Sequence, residues 1–314
     1  GRTFLVLSLA NMSLREPERQ DDYLMVIDQI IDETIRLEKE KGIYYFLMDY
    51  AREGKFVSKK KRSLFEDGEI ALMIASRRLV REKDEYKAPL SERVNMMVEY
   101  MQESPVLSGE SYPDECWTFC NTVALTAIRI SDVLDGTDHS VFLSAWVEKA
   151  KARLTHPASG MLISSYGFDG SHLDGPEGSS IWMVAHCLQV IDPEYAADQY
   201  RRARKELSES ILGFGYAREW PASWKGHADI DSGPIIPFLE MSAGSSGMAL
   251  LGAASFGDRK YMESLLTSLN YGGFPVRKNG KLRFSASNQV GDSVLLYSLV
   301  QGPLWKETMR RLKK

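Results

Sequence analysis

The sequence predicts an all-α protein, an (α/α)6 barrel in which six helical hairpins close into a ring around a central cavity. Apolar residues recur at helical spacing along almost the whole chain and give twelve helical segments. The connections between these segments alternate between short turns and long loops rich in glycine, proline and aromatic residues. Because helices joined by short turns run antiparallel, we expect the long loops to lie together on one face of the ring.

The helical segments follow one another with few interruptions. The first covers 23–37 and ends in a charged run before Gly42, which is typical of a helix C-terminus. The other eleven lie at about 44–53, 66–82, 90–103, 116–133, 140–153, 178–190, 194–210, 240–256, 258–269, 289–300 and 303–312. Short turns at 135–138, 191–193, 257–258 and 302–303 close the antiparallel pairs.

We interpret residues 1–314 as a single domain, with 1–19 as an N-terminal extension. Glycine-rich stretches at 213–215 and 271–274 predict turns or short β-ribbons at the rim. An α-solenoid of helix pairs is the alternative fold, but no repeat of roughly 34 to 47 residues is visible in the sequence. No glycine fingerprint of a phosphate-binding loop occurs either, so the sequence implies no nucleotide cofactor.

The composition limits the classes of partner that the chain is expected to bind. Of its 314 residues, 44% are hydrophobic and 26% are charged, which is typical of a globular domain. The net charge of −4 argues against nucleic acid as a partner, and the basic run at 59–62 is interpreted as a solvated loop. No apolar stretch reaches the roughly 20 residues that span a bilayer. A small-molecule substrate is therefore the expected partner.

The compartment is not fixed by the sequence. Three cysteines are too few for a disulfide framework, which favours a reducing compartment such as the cytoplasm. The chain begins at Gly1 rather than Met, so we expect the native N-terminus to lie upstream. The apolar residues 1–10 are interpreted as the remnant of a leader or anchor.

Five polar loops precede alternate helices, and four of the five carry carboxylates. They occupy 65–69, 111–116, 173–178, 228–234 and 284–289. Since they share one face of the predicted ring, that face is interpreted as an active site.

Glu69 is the first candidate for acid/base chemistry. It lies in the first turn of a helix whose next residues, 70–75, are apolar, so we expect it to face the cavity. Burial there would raise its pKa and suit it to general acid or base catalysis. Asp67 is better explained as an N-cap or a partner of the helix dipole.

The segment 113–121 is the densest motif. A cysteine on a helix is most often a small buried apolar residue. At a cavity mouth, however, Cys120 would offer a thiol for proton transfer, and Asp114 offers a carboxylate. Asn121 lies in an otherwise apolar helix, so it needs either a protein partner or a ligand. Trp117 offers an aromatic wall. Two cysteines without a nearby histidine pair do not make a zinc site.

Two further segments mix aromatic and acidic residues. In 163–182, Tyr166 is expected to orient a substrate oxygen beside Asp174 or Glu177, and Trp182 to contact substrate; a hydrogen-bonded surface loop is the alternative.

In 220–236, Asp229 and Asp231 are the best candidates for chemistry in the chain. Trp224 and His227 would supply an apolar wall and a titrating neighbour. No loop has the regular oxygen-ligand spacing of a known calcium site, so no metal is predicted.

The middle of the chain resembles linalool dehydratase/isomerase and its relatives over about residues 66 to 200. The matching residues are Ser104, Pro105, Pro113, Asp114, Cys120, Asn121, the segment 134–138, Trp146 and the segment 164–166. The resemblance implies an (α/α)6 barrel and acid/base chemistry on a small, largely apolar alcohol or alkene. It implies no metal or cofactor, and a homo-oligomer in which a neighbouring subunit closes the site.

The family's active-site residues transfer incompletely. Its second active-site cysteine matches Cys120, but its first falls on Ser111 and its catalytic histidine falls on Glu69. Its N-terminal Asp and Tyr have no counterpart. Replacing His by Glu keeps a general acid/base and shifts its working range, so we expect proton chemistry on a substrate other than linalool.

Three function classes follow from the sequence. The first is a lyase or isomerase acting on an apolar or terpenoid-like molecule through Glu69, Cys120 and a loop aspartate. The second is a glycoside hydrolase or polysaccharide lyase, in which rim carboxylates cleave and tryptophans stack on sugar rings; those tryptophans are Trp117, Trp182, Trp220 and Trp224. The third is a non-catalytic binding or assembly protein.

Overall fold

Twelve α-helices make up most of the part of the chain that the computed structural model describes, residues 1–226, 233 and 235–313. In chain order they are α1 (Arg2–Arg15), α2 (Gln20–Lys41), α3 (Leu64–Val80), α4 (Lys87–Met101), α5 (Thr118–Asp135), α6 (Ser140–Arg153), α7 (Gly178–Leu188), α8 (Pro193–Glu206), α9 (Ala243–Ser255), α10 (Arg259–Gly272), α11 (Gln289–Val300) and α12 (Pro303–Leu312).

The odd-numbered helices form a closed inner ring. Each packs against the next, from α1 through α3, α5, α7 and α9 to α11, and α11 packs against α1. Closure of the ring distinguishes this fold from a solenoid, whose ends never meet. The predicted (α/α)6 barrel is confirmed.

The predicted alternation of short and long loops is also present in the structure. Long connections, 42–63, 102–117, 154–177, 207–242 and 273–288, lead into the inner helices, whereas short ones of the kind seen at 136–139 and 301–302 lead into the outer helices. The long loops therefore gather at the rim where the inner helices begin.

Short strands occur within these long loops, as the glycine-rich stretches predict. Antiparallel β1 (Cys116–Trp117), β2 (Ser165–Tyr166) and β3 (His172–Asp174) form one sheet in that order. A second sheet contains β4 (Ser208–Ile211), β5 (Phe214–Arg218), β6 (Ile235–Ile236) and β7 (Met241–Ser242), and β8 (Pro275–Lys278) pairs with β9 (Lys281–Phe284).

Helix α1 differs from the sequence prediction, which places no helix before residue 23. Residues 2–15 form an inner helix between α11 and α3, with Val6, Leu7 and Ala10 fully buried. An inner helix is covered on most sides, so its sequence is apolar almost all round and lacks the one-sided pattern of a surface helix. The interpretation of residues 1–10 as the remnant of a leader or anchor rested on this same apolar character.

The predicted helix at 44–53 is wrong. The structure has two separate 3-10 turns there, Ile43–Tyr45 and Asp49–Arg52. Leu47 and Ala51 are buried, but Met48 is 60% exposed and Tyr50 is 46% exposed, so the segment buries too little apolar surface to stabilise a regular helix. The predicted helix at 23–37 is α2, which lies in the outer ring.

The approach of α3 to α5 depends on a glycine. A Cβ atom added to Gly68 would lie 3.2 Å from the Cβ of Ala124 and 3.3 Å from its Cα. The absence of a side chain lets the two inner helices pack closely, and it brings the next residue, Glu69, towards α5.

None of the helices in the described ranges is long and apolar enough to cross a membrane.

Candidate active site

A cavity of about 700 Å³ opens where α1, α3 and α11 begin. Its volume falls within the range typical of small-molecule sites. Apolar and polar side chains contribute equally to its wall, which is formed by Gly1, Arg2, Leu5, Ile30, Thr34, Phe46, Phe65, Glu66, Glu69, Ile70, Met73, Gln289, Val290, Asp292 and Ser293.

Glu69 lies in this wall, on the second turn of α3. The hydroxyl of Thr3 on α1 donates a hydrogen bond of 2.8 Å to its Oε2 atom. Burial raises the pKa of the Glu69 carboxyl, against the opposing effects of the Thr3 hydrogen bond and the Arg2 charge. A raised pKa suits a carboxyl to general acid or base catalysis.

Glu66 precedes Glu69 by three residues and also belongs to the wall. It is only 3% exposed, and neither of its oxygens has a hydrogen-bond partner among the described residues. Burial, reinforced by the charges of Glu38 and Asp67, raises its pKa to about 8, while Arg62 and Arg93 oppose the shift. The side chain is therefore mostly protonated at neutral pH.

The sequence analysis missed Glu66. Its spacing of three residues from Glu69 was the available signal, because residues i and i+3 lie on one face of a helix. Its burial, close to Glu38 of α2 and Arg93 of α4, results from packing between helices and could not be read from the sequence.

A network of four charged residues lies behind the first turn of α3. Arg62 donates to Asp67 at 2.9 Å and to Glu38 at 3.0 Å, and Arg93 donates to Glu38 at 2.6 Å and also contacts Asp67. Asp67 is thus an ion-pair partner; the N-cap is Ser63, whose hydroxyl accepts from the Glu66 N–H. The expectation that Asp67 caps the helix is wrong, but Asp67 does lie in the first turn of α3, where its charge favours the helix dipole as expected.

Cys120 lies on α5 and is 7% exposed. Burial raises the pKa of its thiol to about 12, although a hydrogen bond with the Ser111 side chain opposes the shift. The charge of Glu69 contributes to this increase, so the two groups are near each other. Cys120 does not line the cavity formed by the described residues, and it is a neutral thiol at neutral pH.

Asn121 is fully buried and bonded to the backbone. Its Oδ1 atom accepts from the Gly109 N–H at 2.9 Å, and its Nδ2 atom donates to the carbonyls of Gly109 and Trp117. The amide holds the α4–α5 loop against α5. The sequence left open whether Asn121 binds protein or a ligand, and in the structure its partner is protein.

Asp114 is exposed in a turn, with a positive φ of 56°. Its N–H donates to the carboxylate of Glu110 at 2.7 Å. It forms no part of the cavity wall, so the structure does not bring it together with Glu69.

Trp117, Tyr166 and Asp174 come together in the sheet of β1, β2 and β3. Tyr166 is fully buried, and its hydroxyl is 2.9 Å from the Oγ atom of Ser108. Asp174 is 6% exposed and accepts from the Gly175 N–H at 2.6 Å. Trp117 is partly buried beside them. This sheet belongs to the rim, but none of the three lines the cavity as described.

Trp182 is a core residue. It is 0% exposed on α7, its indole N–H donates to Ser245, and it packs edge-on against Tyr200. The expectation that it contacts substrate is wrong for this conformation, because inner helices bury their large side chains between neighbours.

Trp224 remains accessible at the rim. It is partly exposed, its ring lies 5.4 Å from that of His156, and a Cβ on Gly175 would collide with its indole. His227, Asp229 and Asp231 lie outside the described residues. Across the ranges that are described, no group of three His, Cys, Asp or Glu side chains is placed to hold a metal ion.

The fold and the cavity together define a class, an (α/α)6 barrel with an acid-containing pocket at the rim. A GH76 alpha-mannanase from Bacteroides thetaiotaomicron has a similar structure, with a TM-score of 0.57 over 100% of this chain and 87% of that chain. At 13% sequence identity, the likeness concerns the fold.

The sequence identifies the family within this class. The model of the linalool dehydratase/isomerase family matches residues 63–290, and the chain belongs to that family. The match begins at the N-cap of α3 and continues well beyond residue 200, the end of the resemblance described in the sequence. It includes both cavity glutamates.

Proposed function

We propose that the protein is a dehydratase/isomerase-like enzyme that moves protons on a small, largely apolar alcohol or alkene bound in the rim cavity. The observation that carries the proposal is Glu69, a carboxyl of raised pKa in the wall of a cavity of suitable size. It occupies the position at which the family resemblance places a catalytic histidine. Family membership supports the reaction type.

The cavity wall provides the contacts that such a substrate needs. Leu5, Phe65, Ile70 and Met73 line it and would hold a hydrocarbon chain by apolar contact. Glu69 would exchange a proton with a substrate carbon or oxygen. The Thr3 hydroxyl fixes the orientation of its carboxyl group and favours the ionised form.

Cys120 has a supporting part in this proposal. Because its pKa is about 12, it would act as a neutral hydrogen-bond donor rather than as a thiolate nucleophile. Its link to Ser111 ties the α4–α5 loop to α5 beside Glu69. The reactive group is therefore Glu69, and Cys120 shapes its surroundings.

Ligand binding followed by product analysis tests the proposal. The purified protein is mixed with linalool, 1-octanol, 1-octene or mannobiose, and the thermal unfolding midpoint is measured, because a ligand that binds only the folded state raises it. Incubated alcohols are then analysed by gas chromatography. We expect an alcohol or the alkene, rather than the sugar, to raise the midpoint.

Glu69→Gln is the decisive variant. It keeps the shape of the side chain but cannot exchange a proton, so we expect turnover to fall by at least about 100-fold, the usual contribution of a general acid or base. Glu92→Gln, an exposed change on α4, is the matched control and should keep full activity. A midpoint raised by mannobiose alone would contradict the proposal and favour sugar chemistry.

A further inference from the structure

The cavity holds a second carboxyl group that differs from Glu69. Glu66 and Glu69 are separated by three residues on α3, and both contribute to the wall. Side chains at this spacing stand roughly 5–6 Å apart at their Cβ atoms on one face of a helix. Both residues therefore lie on the face of α3 that borders the cavity.

The two carboxyls differ in the groups that surround them. Burial raises the pKa of Glu69 as well, but a hydrogen bond from Thr3 and the charge of Arg2 oppose that increase and favour its ionised form. Glu66 is buried, and within the described part of the chain its two oxygens have no hydrogen-bond partner. A buried carboxylate without a partner is unfavourable, whereas the neutral acid is tolerated.

The charged groups around Glu66 do not alter the preference for its neutral form. Glu38 faces it from α2, Asp67 from α3, Arg62 from the α2–α3 loop and Arg93 from α4. The two arginines are bound to the two other acids, as the network behind α3 shows. On the cavity side, Arg2 and Asp292 lie in the wall.

A polar group that is buried without a partner calls for an explanation. The hydroxyl group of an alcohol entering the cavity would supply the acceptor that the protonated Glu66 lacks. An alkene of the same length has no oxygen atom and would not supply this acceptor. The missing partner of Glu66 thus indicates the chemistry of the ligand.

From this juxtaposition we infer that Glu66 is the proton donor of the site and Glu69 its base. Glu66 gives its proton to the hydroxyl oxygen as the C–O bond breaks, and the oxygen leaves as water. Glu69 takes the proton from the adjacent carbon, and the electron pair of that C–H bond becomes the new double bond. The proton then returns from Glu69 to Glu66, so that atoms and charges balance.

This assignment rests on the proposed function, but part of its test is independent of activity. The infrared band of a protonated carboxylic acid is recorded at pH 7 on the full chain without ligand. We expect a band in the wild type that disappears in Glu66→Gln and persists in Glu69→Gln. A band that disappears only in Glu69→Gln, or no band in any of the three, would overturn the assignment.

Binding and turnover supply the second part. Glu66→Leu removes the donor, so we expect 1-octanol to bind about tenfold more weakly while 1-octene binding is unchanged. Glu66→Gln still donates a hydrogen bond, and it should keep alcohol binding while losing turnover. Circular dichroism confirms folding of each variant, and Glu92→Gln serves as the control.

The outcomes separate the two proposals. Normal alcohol binding and turnover in Glu66→Leu would overturn the role of Glu66 and leave the proposed function standing. If the wild type shows the infrared band but binds neither alcohol nor alkene, the proposed function fails, and the role of Glu66 as donor to a substrate fails with it.

Discussion

At the scale of single residues, the site depends on how much protein surrounds each polar group. Glu66 and Glu69 share a helix face, yet one carries a hydrogen-bond donor from α1 and the other has none in the described structure. The sequence could predict Glu69, because an acid precedes an apolar run. It could not predict Glu66, because the burial of that residue comes from distant chain segments.

The pKa of Glu66 predicts how stability depends on pH. The folded value is about 8, above the ordinary value of 4.5, so from about pH 4.5 to 8 the unfolded state releases a proton that the folded state retains. The contribution of Glu66 to the free energy of unfolding is therefore greatest at low pH. It falls by at most about 1.4 kcal/mol per pH unit through this window and is constant above it.

Comparison of the wild type with Glu66→Gln isolates this effect, because glutamine does not titrate. We expect the variant to gain stability relative to the wild type as the pH is raised from 5 to 8. Urea unfolding at each pH measures the difference, with Glu92→Gln as a reference for nonspecific charge effects. A difference between wild type and Glu66→Gln that is independent of pH would contradict the assigned pKa shift.

Asn121 shows why residue type alone does not fix a role. A buried amide in an apolar helix requires a partner, and the sequence left open whether that partner is protein or ligand. In the structure the backbone of Gly109 and Trp117 supplies it. The choice depended on the path of a loop, which local sequence does not determine.

At the scale of elements, the close contact of α3 with α5 sets the position of Glu69. Gly68 faces Ala124, and a Cβ atom on Gly68 would lie 3.2–3.3 Å from Ala124 atoms, so one helix would have to shift by a few tenths of an ångström. Glycine inside a helix normally costs roughly 0.5–1 kcal/mol relative to alanine. Its presence here indicates that the close approach outweighs this cost.

Gly68→Ala is therefore expected to destabilise the fold by about 1 kcal/mol, because overpacking exceeds the gain in helix propensity. It should also lower activity by displacing Glu69. Gly247, inside α9, is the matched control: a Cβ there would meet nothing within 4 Å. Gly247→Ala should stabilise the protein by up to about 1 kcal/mol. Equal effects of the two changes in urea unfolding would rule out this account of the α3–α5 contact.

Helix α1 and segment 44–53 mark the limit of sequence reasoning about elements. Periodicity detects helices that are exposed on one side, which describes the outer ring. Inner helix α1 is covered on most sides and has no such pattern, while 44–53 buries only Leu47 and Ala51 among its apolar residues. The number twelve was predicted correctly although one segment was assigned wrongly and one was missed.

At the scale of the whole molecule, the alternation of short and long connections was enough to predict the barrel. The alternation of short and long loops determines which helix ends lie on the same face, even where the individual helix boundaries are inexact. Closure of the ring requires α1, however, and α1 was assigned to an extension. The sequence therefore predicted the architecture and the face on which the cavity opens, but not the helix that supplies Thr3 to Glu69.

Ring closure makes the stability of α1 matter across the whole barrel. Leu7 on α1 is fully buried, and Leu7→Ala is expected to cost about 2–5 kcal/mol. In a solenoid this loss would stay near the first hairpin. In a closed ring α1 contacts both α3 and α11, so we expect the loss to reach α7 on the opposite side.

The rate at which the free buried cysteines are alkylated measures how far this loss of stability extends. Cys120 on α5 and Cys187 on α7 are both free and buried, so each reacts with iodoacetamide only when its region opens. Peptide mapping of alkylated protein should show that Leu7→Ala accelerates labelling of both thiols by a similar factor. Val141→Ala, at an 85% exposed position on α6, should accelerate neither. Faster labelling of Cys120 alone would mean that the barrel opens in parts, and that closure of the ring does not make it a single cooperative unit.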